Sequence, residues 1–371
     1  MVQGTSDKIH YPALDGLRGF AILFVLFYHN FNFIPFSEYG WIGVDLFFVL
    51  SGFLITEILL KTRGQKKFLR NFYTRRILRI FPLYYLVLSL FFILAPYFSS
   101  LQEQYNYYHS NQAMMWAYLQ NWFFIFYPTP AISMPFQHFW SLSIEEHYYL
   151  LWPFVILVCK NLQKLKWILY IMLACYILFR FFVWLYYGIN DFSFNLQHLT
   201  RMDGLCIGSL IAVWKFNGEK LGNRIFRLSI ILISIHLLVI LLAKMLFKNL
   251  PHFNILGFTS ISALFGIVII YAIENKNAGI KILLENRFVR YIGKISYGLY
   301  IFHYTVLVLF RIYLTDSAIT IGPIQLSRII VIGIGSIVVT VIVSILSYHF
   351  FERKFLVLKD RITYRSPRLS Q

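Results

Sequence analysis

Charge is scarce in this sequence. Only 13% of its 371 residues are Asp, Glu, Lys or Arg, while 58% are hydrophobic and 19% aromatic. A soluble domain carries far more charge over its surface, so composition excludes one. Cysteine is nearly absent. Cys159, Cys175 and Cys206 are odd in number, lie in or beside apolar runs and lack metal-ligand spacing, so they read as packing residues. Internal repeats, low-complexity tracts and long linkers are also missing. No small-residue cleavage site follows the first apolar stretch, which therefore reads as a retained span and not a signal peptide.

Apolar runs of about twenty residues take the place of all this, each long enough for a helix to cross a bilayer. Ten are expected, at 14–34, 40–61, 78–98, 139–159, 166–187, 196–215, 228–247, 254–273, 295–314 and 323–350. The fold class is an all-α polytopic membrane protein, a single domain over 1–371 with a basic tail at 351–371. The formal charge of +18 does not point to nucleic acid, because it lies in short clusters between spans and no recognition motif accompanies it. "KTRGQKKFLRNFYTRRILR" holds eight Lys and Arg, "CKNLQKLK" three, "KFNGEKLGNRIFR" four, "ENKNAGIKILLENRFVRYIGK" five and the tail six. All five alternate onto one side. The opposite loops hold almost none beyond Lys244 and Lys248, so both termini are expected in the cytoplasm. The aromatic, Pro-containing stretch between spans three and four is expected to form a packed cap.

Polar residues inside spans face protein or a wet cavity. "GLRGFAILFVLFYHN" places Arg18 and His29 on one helical face about 16 Å apart, with snorkelling to the headgroups as the plainer alternative. Given the orientation, Arg18 is expected near the cytoplasmic face and His29 in the outer half. His138, Glu145 and Glu146 of "HFWSLSIEEHYYLLWP" and Arg201 and Asp203 of "LQHLTRMDGLCIGSL" fall at the same outer depth. They suggest an acid/base centre with Glu145 paired to His29; a structural ion-pair network is the alternative. An imidazole beside a carboxylate suits general base work. Glu145 is preferred to Glu146, since adjacent helical residues do not face one centre. Arg75, Arg76 and Arg79 precede span three, and Arg76 and Arg79 share a face able to grip phosphates, or simply supply topological charge. His303 in "ISYGLYIFHYTV" is expected nearer the cytoplasmic end.

Two patterns are set aside. "HYPALD" (His10 to Asp15) has a histidine-x4-aspartate spacing but contains proline and lacks a downstream partner motif. "GKIS" at 293–296 echoes a phosphate-binding loop without its upstream glycine or preceding strand.

These residues together resemble the integral-membrane acyltransferase-3 family, the O-acetylases of bacterial cell-surface and exported carbohydrates. "LDGLRGFAILFVLFYH" carries its arginine-x10-histidine signature as Arg18 and His29. "GWIGVDLFFVLSGFLI", "RRILRIFPLYY", "FWSLSIEEHYYLLWP", "RMDGLCIGSLIA", "ISYGLYIFH" and "FERKF" follow in the family's order. The last reads Glu352-Arg353-Lys354 where many relatives have proline third. The chain is expected to be the stand-alone form, without the esterase-like domain of some relatives.

The resemblance implies a multi-pass enzyme of the bacterial inner membrane. It would move an acyl group, most often acetyl, from cytoplasmic acyl-coenzyme A to a carbohydrate hydroxyl, with no metal. On that reading His29 and Glu145 are catalytic, with His29 as base or transient acyl carrier. Arg18, Arg75, Arg76 and Arg79 bind the donor. Arg201, Asp203, Glu146 and His303 line the acceptor site. Three alternatives stay open: a lipid, peptide or small-molecule acceptor; a transporter or flippase, against which no paired broken helices or internal symmetry are seen; and a sensor or scaffold that has lost catalysis.

Overall fold

The computed structural model describes residues 11–127, 134–188, 196, 198–246, 253–274, 278–314, 318–321 and 324–362. His10 of the set-aside "HYPALD" pattern, Lys248 and the tail beyond Ile362 lie outside them.

Among the described residues ten long helices form the frame: α1 Pro12–Asn30, α2 Ile42–Thr62, α3 Phe68–Leu94, α4 Trp140–Val158, α5 Leu162–Tyr187, α6 Asp203–Phe216, α7 Leu221–Leu246, α8 Phe258–Glu274, α9 Ser296–Tyr313 and α10 Arg328–Ser347. A short helix, α11 Arg353–Arg361, follows a π-helical turn at Tyr348–Glu352. The frame is all-α as expected, with one short antiparallel hairpin, Ala318–Ile321 with Ile324–Ser327, among the described residues.

Among the described residues six helices are long and apolar enough to cross a membrane. A seventh counts if Arg287–Lys294 and α9, bent by 68° at their junction, form one span. The expected count of ten is therefore not met by length and composition. The difference lies in α1, α4 and α6. The first two carry the polar residues singled out above, and α6 has only 14 residues, about 21 Å.

α2 is apolar all round and sits at the centre, packing most extensively on α6 and also on α1, α4 and α8. α5, α7 and α10 lie at the periphery, with most of their apolar windows unburied. The α2–α6 crossing needs glycine on both sides. A Cβ on Gly52 would stand 2.0 Å from the Leu205 carbonyl, and one on Gly208 2.0 Å from that of Val49, the close backbone approach that small residues permit in membranes. Around it, Thr56 donates to Ser209 at 2.7 Å and the Trp152 indole donates to Thr56 at 2.8 Å. The buried hydroxyls thus find partners in other helices.

Contacts gather the basic segments at one end of the bundle. Arg63 donates to the carbonyls of Ile156, Cys159 and Lys160 at the end of α4. Lys166 pairs with Glu219 at 2.7 Å, and Lys215 with Glu57 at 3.2 Å. At the opposite end, short helices Gln102–His109, Gln112–Trp116 and Gln120–Phe126 make the described part of the 95–137 stretch a packed aromatic cap. Tyr84 and Tyr85 donate to the Met115 and Trp116 carbonyls at 2.6 and 3.0 Å, and Tyr84 stacks on Tyr118 with centroids 4.0 Å apart.

Candidate active site

α1 holds Arg18 towards the basic end and His29 in its last turn at the other. Arg18 lies 3.5 Å from Asp15, with Arg76, Arg79 and Tyr149 in electrostatic reach. The Arg76 guanidinium lies over the rings of Tyr149 and Phe72, 5.2 and 5.8 Å from their centroids. Glu145 accepts a hydrogen bond from Ser51 at 2.9 Å and interacts with Arg76 and Arg18. Glu146 interacts with Glu145 and Arg76. Arg79 is also in reach of Glu352, which accepts from Ser347 at 3.0 Å. Arg18 of α1 and Arg76 of α3 thus meet the two carboxylates of α4, while Arg79 stands beside Arg18 and reaches Glu352.

The expected pairing of Glu145 with His29 does not form: no interaction of Glu145 runs to His29. The reason is helical rise. Seven residues separate His138, in the turn just before α4, from Glu145, about 10 Å of helical rise, so when His138 is level with His29, Glu145 falls nearly two turns deeper.

Arg75 also departs from expectation. It donates to the carbonyls of Lys359 and Ile362 at 3.0 and 2.5 Å and lies 3.9 Å from Asp360. There it caps the C-terminus of α11, where a cation meets unpaired carbonyls and the negative end of the helix dipole.

Between the two ends, Tyr300 of α9 shares a 2.5 Å hydrogen bond with Ser141 of α4 and donates to the His138 carbonyl at 3.1 Å. Beyond it stand three histidines. The ring centroid of His303 lies 5.0 Å from that of His29 and 4.7 Å from that of His138; Tyr28 and Tyr304 flank His29 at 4.7 and 4.9 Å. His303 was expected nearer the cytoplasmic end. It reaches His29 because the preceding bend lies inside the bundle: Tyr297, at the start of α9, donates to the Ile80 carbonyl well along α3. His29 Nδ1 bonds the Val25 carbonyl at 3.0 Å, and His303 Nδ1 that of Tyr300 at 2.7 Å. A carbonyl can only accept, so both Nδ1 atoms carry the proton and each Nε2 presents a lone pair. Among the described residues no group of three or more His, Cys, Asp or Glu has the geometry to hold a metal ion.

Arg201 and Asp203 are not brought to these histidines. Arg201 pairs with Asp45 at 2.5 Å and stacks 3.7 Å from the Phe258 centroid. Asp203 accepts from Arg180 at 3.0 Å and Thr259 at 2.7 Å. All four charged groups are buried, and together they form an ion-pair network joining α2, α5, α6 and α8. The close α2–α6 crossing brings the start of α6 against α2, opposite Asp45. For these two residues the ion-pair alternative holds.

The profile of the acyltransferase domain family (acyltransferase 3) matches residues 11–349. The chain belongs to this acyltransferase family. It is 30% identical over 362 residues to a peptidoglycan O-acetyltransferase of Listeria monocytogenes, covering 93% of this chain and 56% of that one. A Bacillus subtilis protein provisionally named a peptidoglycan O-acetyltransferase is 28% identical over 373 residues, covering 95% and 56%. A Staphylococcus aureus protein provisionally named an O-acetyltransferase is 28% identical over 364 residues, covering 94% and 58%. The chain therefore spans little more than half the length of these relatives. No solved structure matches it.

Asp45 and Arg180 were not among the residues expected at the site, and His138, placed at the right depth, was given no role of its own. The first two carried a usable signal: each is a lone charge in an apolar run, "GVDLFF" and "ILFRFF", the pattern that flags intramembrane function or pairing. Tyr300 and Ser51 carried none, because hydroxyl residues are common in membrane helices.

Proposed function

We propose that this acyltransferase carries an acetyl group across the membrane and transfers it to a carbohydrate hydroxyl of the cell envelope, of the peptidoglycan class. Acetyl-coenzyme A is the donor. The basic end of the bundle is cytoplasmic, in keeping with its excess of Lys and Arg, and the chain is a multi-pass part of a protein of the bacterial cytoplasmic membrane. The relatives' names support the reaction and acceptor class.

One observation carries the mechanism: α1 spans from the Arg18–Arg76–Arg79 group to the histidine cluster through buried polar side chains. Coenzyme A is a cytoplasmic polyanion, and guanidinium groups bind phosphate through charge-assisted pairs. Arg76 and Arg79 take this role, with Arg18 beside them; Glu145 and Glu146 orient the arginines. The acyl group reaches the far end along the α1 face. There His29 Nε2, its lone pair fixed by the Nδ1–Val25 hydrogen bond, accepts the proton of the attacking hydroxyl. A sugar hydroxyl is protonated at neutral pH, so attack on a thioester needs a base as the new bond forms.

The test is reconstitution in liposomes with acetyl-coenzyme A inside and peptidoglycan fragments outside. Free thiol inside and acetyl ester outside in equal amounts are expected. Movement of an intact solute without thiol release would favour the transporter reading, for which the single 68° bend before α9 is the only structural hint among the described residues.

A further inference from the structure

We propose that His138 is a second catalytic residue, whose ring N–H binds the oxyanion that develops on the acyl carbonyl while His29 takes the proton. The proposal rests on the reading above, that acyl transfer occurs at the histidine end.

His138 is only 5% exposed, and neither ring nitrogen makes a well-formed hydrogen bond among the described residues, the Tyr300 and Ile301 backbone being its nearest polar neighbours. A buried polar atom left unpaired carries a desolvation cost, and such groups in native structures point to a ligand or a catalytic role. A neutral imidazole holds one N–H and one lone pair. His29 and His303 have each committed their N–H to a backbone carbonyl and offer only a lone pair. His138 alone of the three has its N–H in no well-formed bond, and so free to turn to a substrate.

Its position is fixed by its own backbone. The His138 carbonyl accepts from Tyr300 at 3.1 Å, with Ser141 donating to Tyr300 in turn, and its ring packs edge-on against Tyr300 at 5.3 Å. The site therefore supplies the two groups that acyl transfer needs, a proton acceptor and a preorganised donor to the oxyanion.

The step balances. The hydroxyl oxygen bonds to the acyl carbon as its proton passes to His29 Nε2, and the C=O pair moves onto oxygen, where the His138 N–H binds it. Collapse restores the carbonyl and breaks the C–S bond, whose pair leaves on the thiolate. The proton held by His29 neutralises the thiolate, so one thioester and one alcohol give one ester and one thiol.

The experiment measures kcat and both KM values in liposomes for the parent, His138→Phe, His138→Gln and His138→Glu. Phe keeps a ring without an N–H; Gln keeps an N–H; ionised Glu matches the shape of Gln and only accepts. His138→Phe is expected to lower kcat about 100- to 1,000-fold, with both KM values and the melting temperature unchanged. His138→Gln should recover at least about tenfold over Phe and keep the parent's pH profile, because the base is His29. Should the Phe variant not fold, the Gln–Glu contrast carries the test, with Gln the faster. An active parent beside an equally active His138→Phe, or Gln no faster than Glu, overturns the role of His138 alone. A parent that forms no acetyl ester overturns the transferase reading, and this proposal with it.

Discussion

The imidazole of His29, in the last turn of α1, lies 5.0 Å from that of His303 on α9, although 273 residues separate them in sequence (303 − 29 − 1). Both present Nε2 lone pairs beside His138. The far end of α1 is thus an imidazole-lined site, while its near end is held among arginines and carboxylates. One helix joins two chemically distinct stations.

Arg75, Arg76 and Arg79, all within α3, divide by what they touch. Arg76→Ala and Arg79→Ala should each raise the KM for acetyl-coenzyme A by about 10- to 150-fold, the equivalent of one charge-assisted contact worth ~1.5–3 kcal/mol. Arg75→Ala should leave that KM unchanged. It should instead loosen α11, seen as faster amide exchange over 353–361. Equal KM effects from all three would mean that the guanidinium of Arg75 also serves the donor.

The Arg180–Asp203 pair is fully buried, so removing one partner strands a charge. Asp203→Ala should destabilise by about 3–5 kcal/mol, whereas the double change Arg180→Met with Asp203→Leu should recover most of that. Thermal melting in detergent measures both. A double variant as unstable as the single one would show that the network does more than pair charges.

Much of this was legible in the sequence. Lone charges in apolar runs located the interior groups, and the spacing of Arg18 and His29 gave the axis of the site. Depth was harder. His303 was misplaced because a bend between Lys294 and Ser296 starts α9 inside the bundle, and hydropathy does not register a bend. Glu145 was assigned to His29 because both fell in an outer half, a resolution too coarse to separate residues nearly two turns apart. Arg201 and Asp203 were drawn to the site because pairing partners on other helices, Asp45 and Arg180, come together only in three dimensions.

Outside the spans, Glu219 gives a pH dependence. Partial burial pushes its carboxyl up, but hydrogen bonds from Lys166 and Asn217 and the charges of Lys166 and Arg224 outweigh this and hold it below the usual range. A carboxyl with a lowered folded value contributes stability above its unfolded value and loses it as pH falls through the folded one. Melting temperature should therefore fall on acidification from about pH 5 towards pH 3, and Glu219→Gln should flatten part of that slope. An unchanged slope in the variant would remove Glu219 from the acid response.

The most direct measurement compares thiol release and ester formation by the parent and His29→Ala in liposomes, using proteins with matching melting temperatures and matching donor binding. If His29 Nε2 is the base, the variant should be slower by about 100- to 10,000-fold while still binding acetyl-coenzyme A. A folded His29→Ala protein that acetylates within a few-fold of the parent would contradict the account.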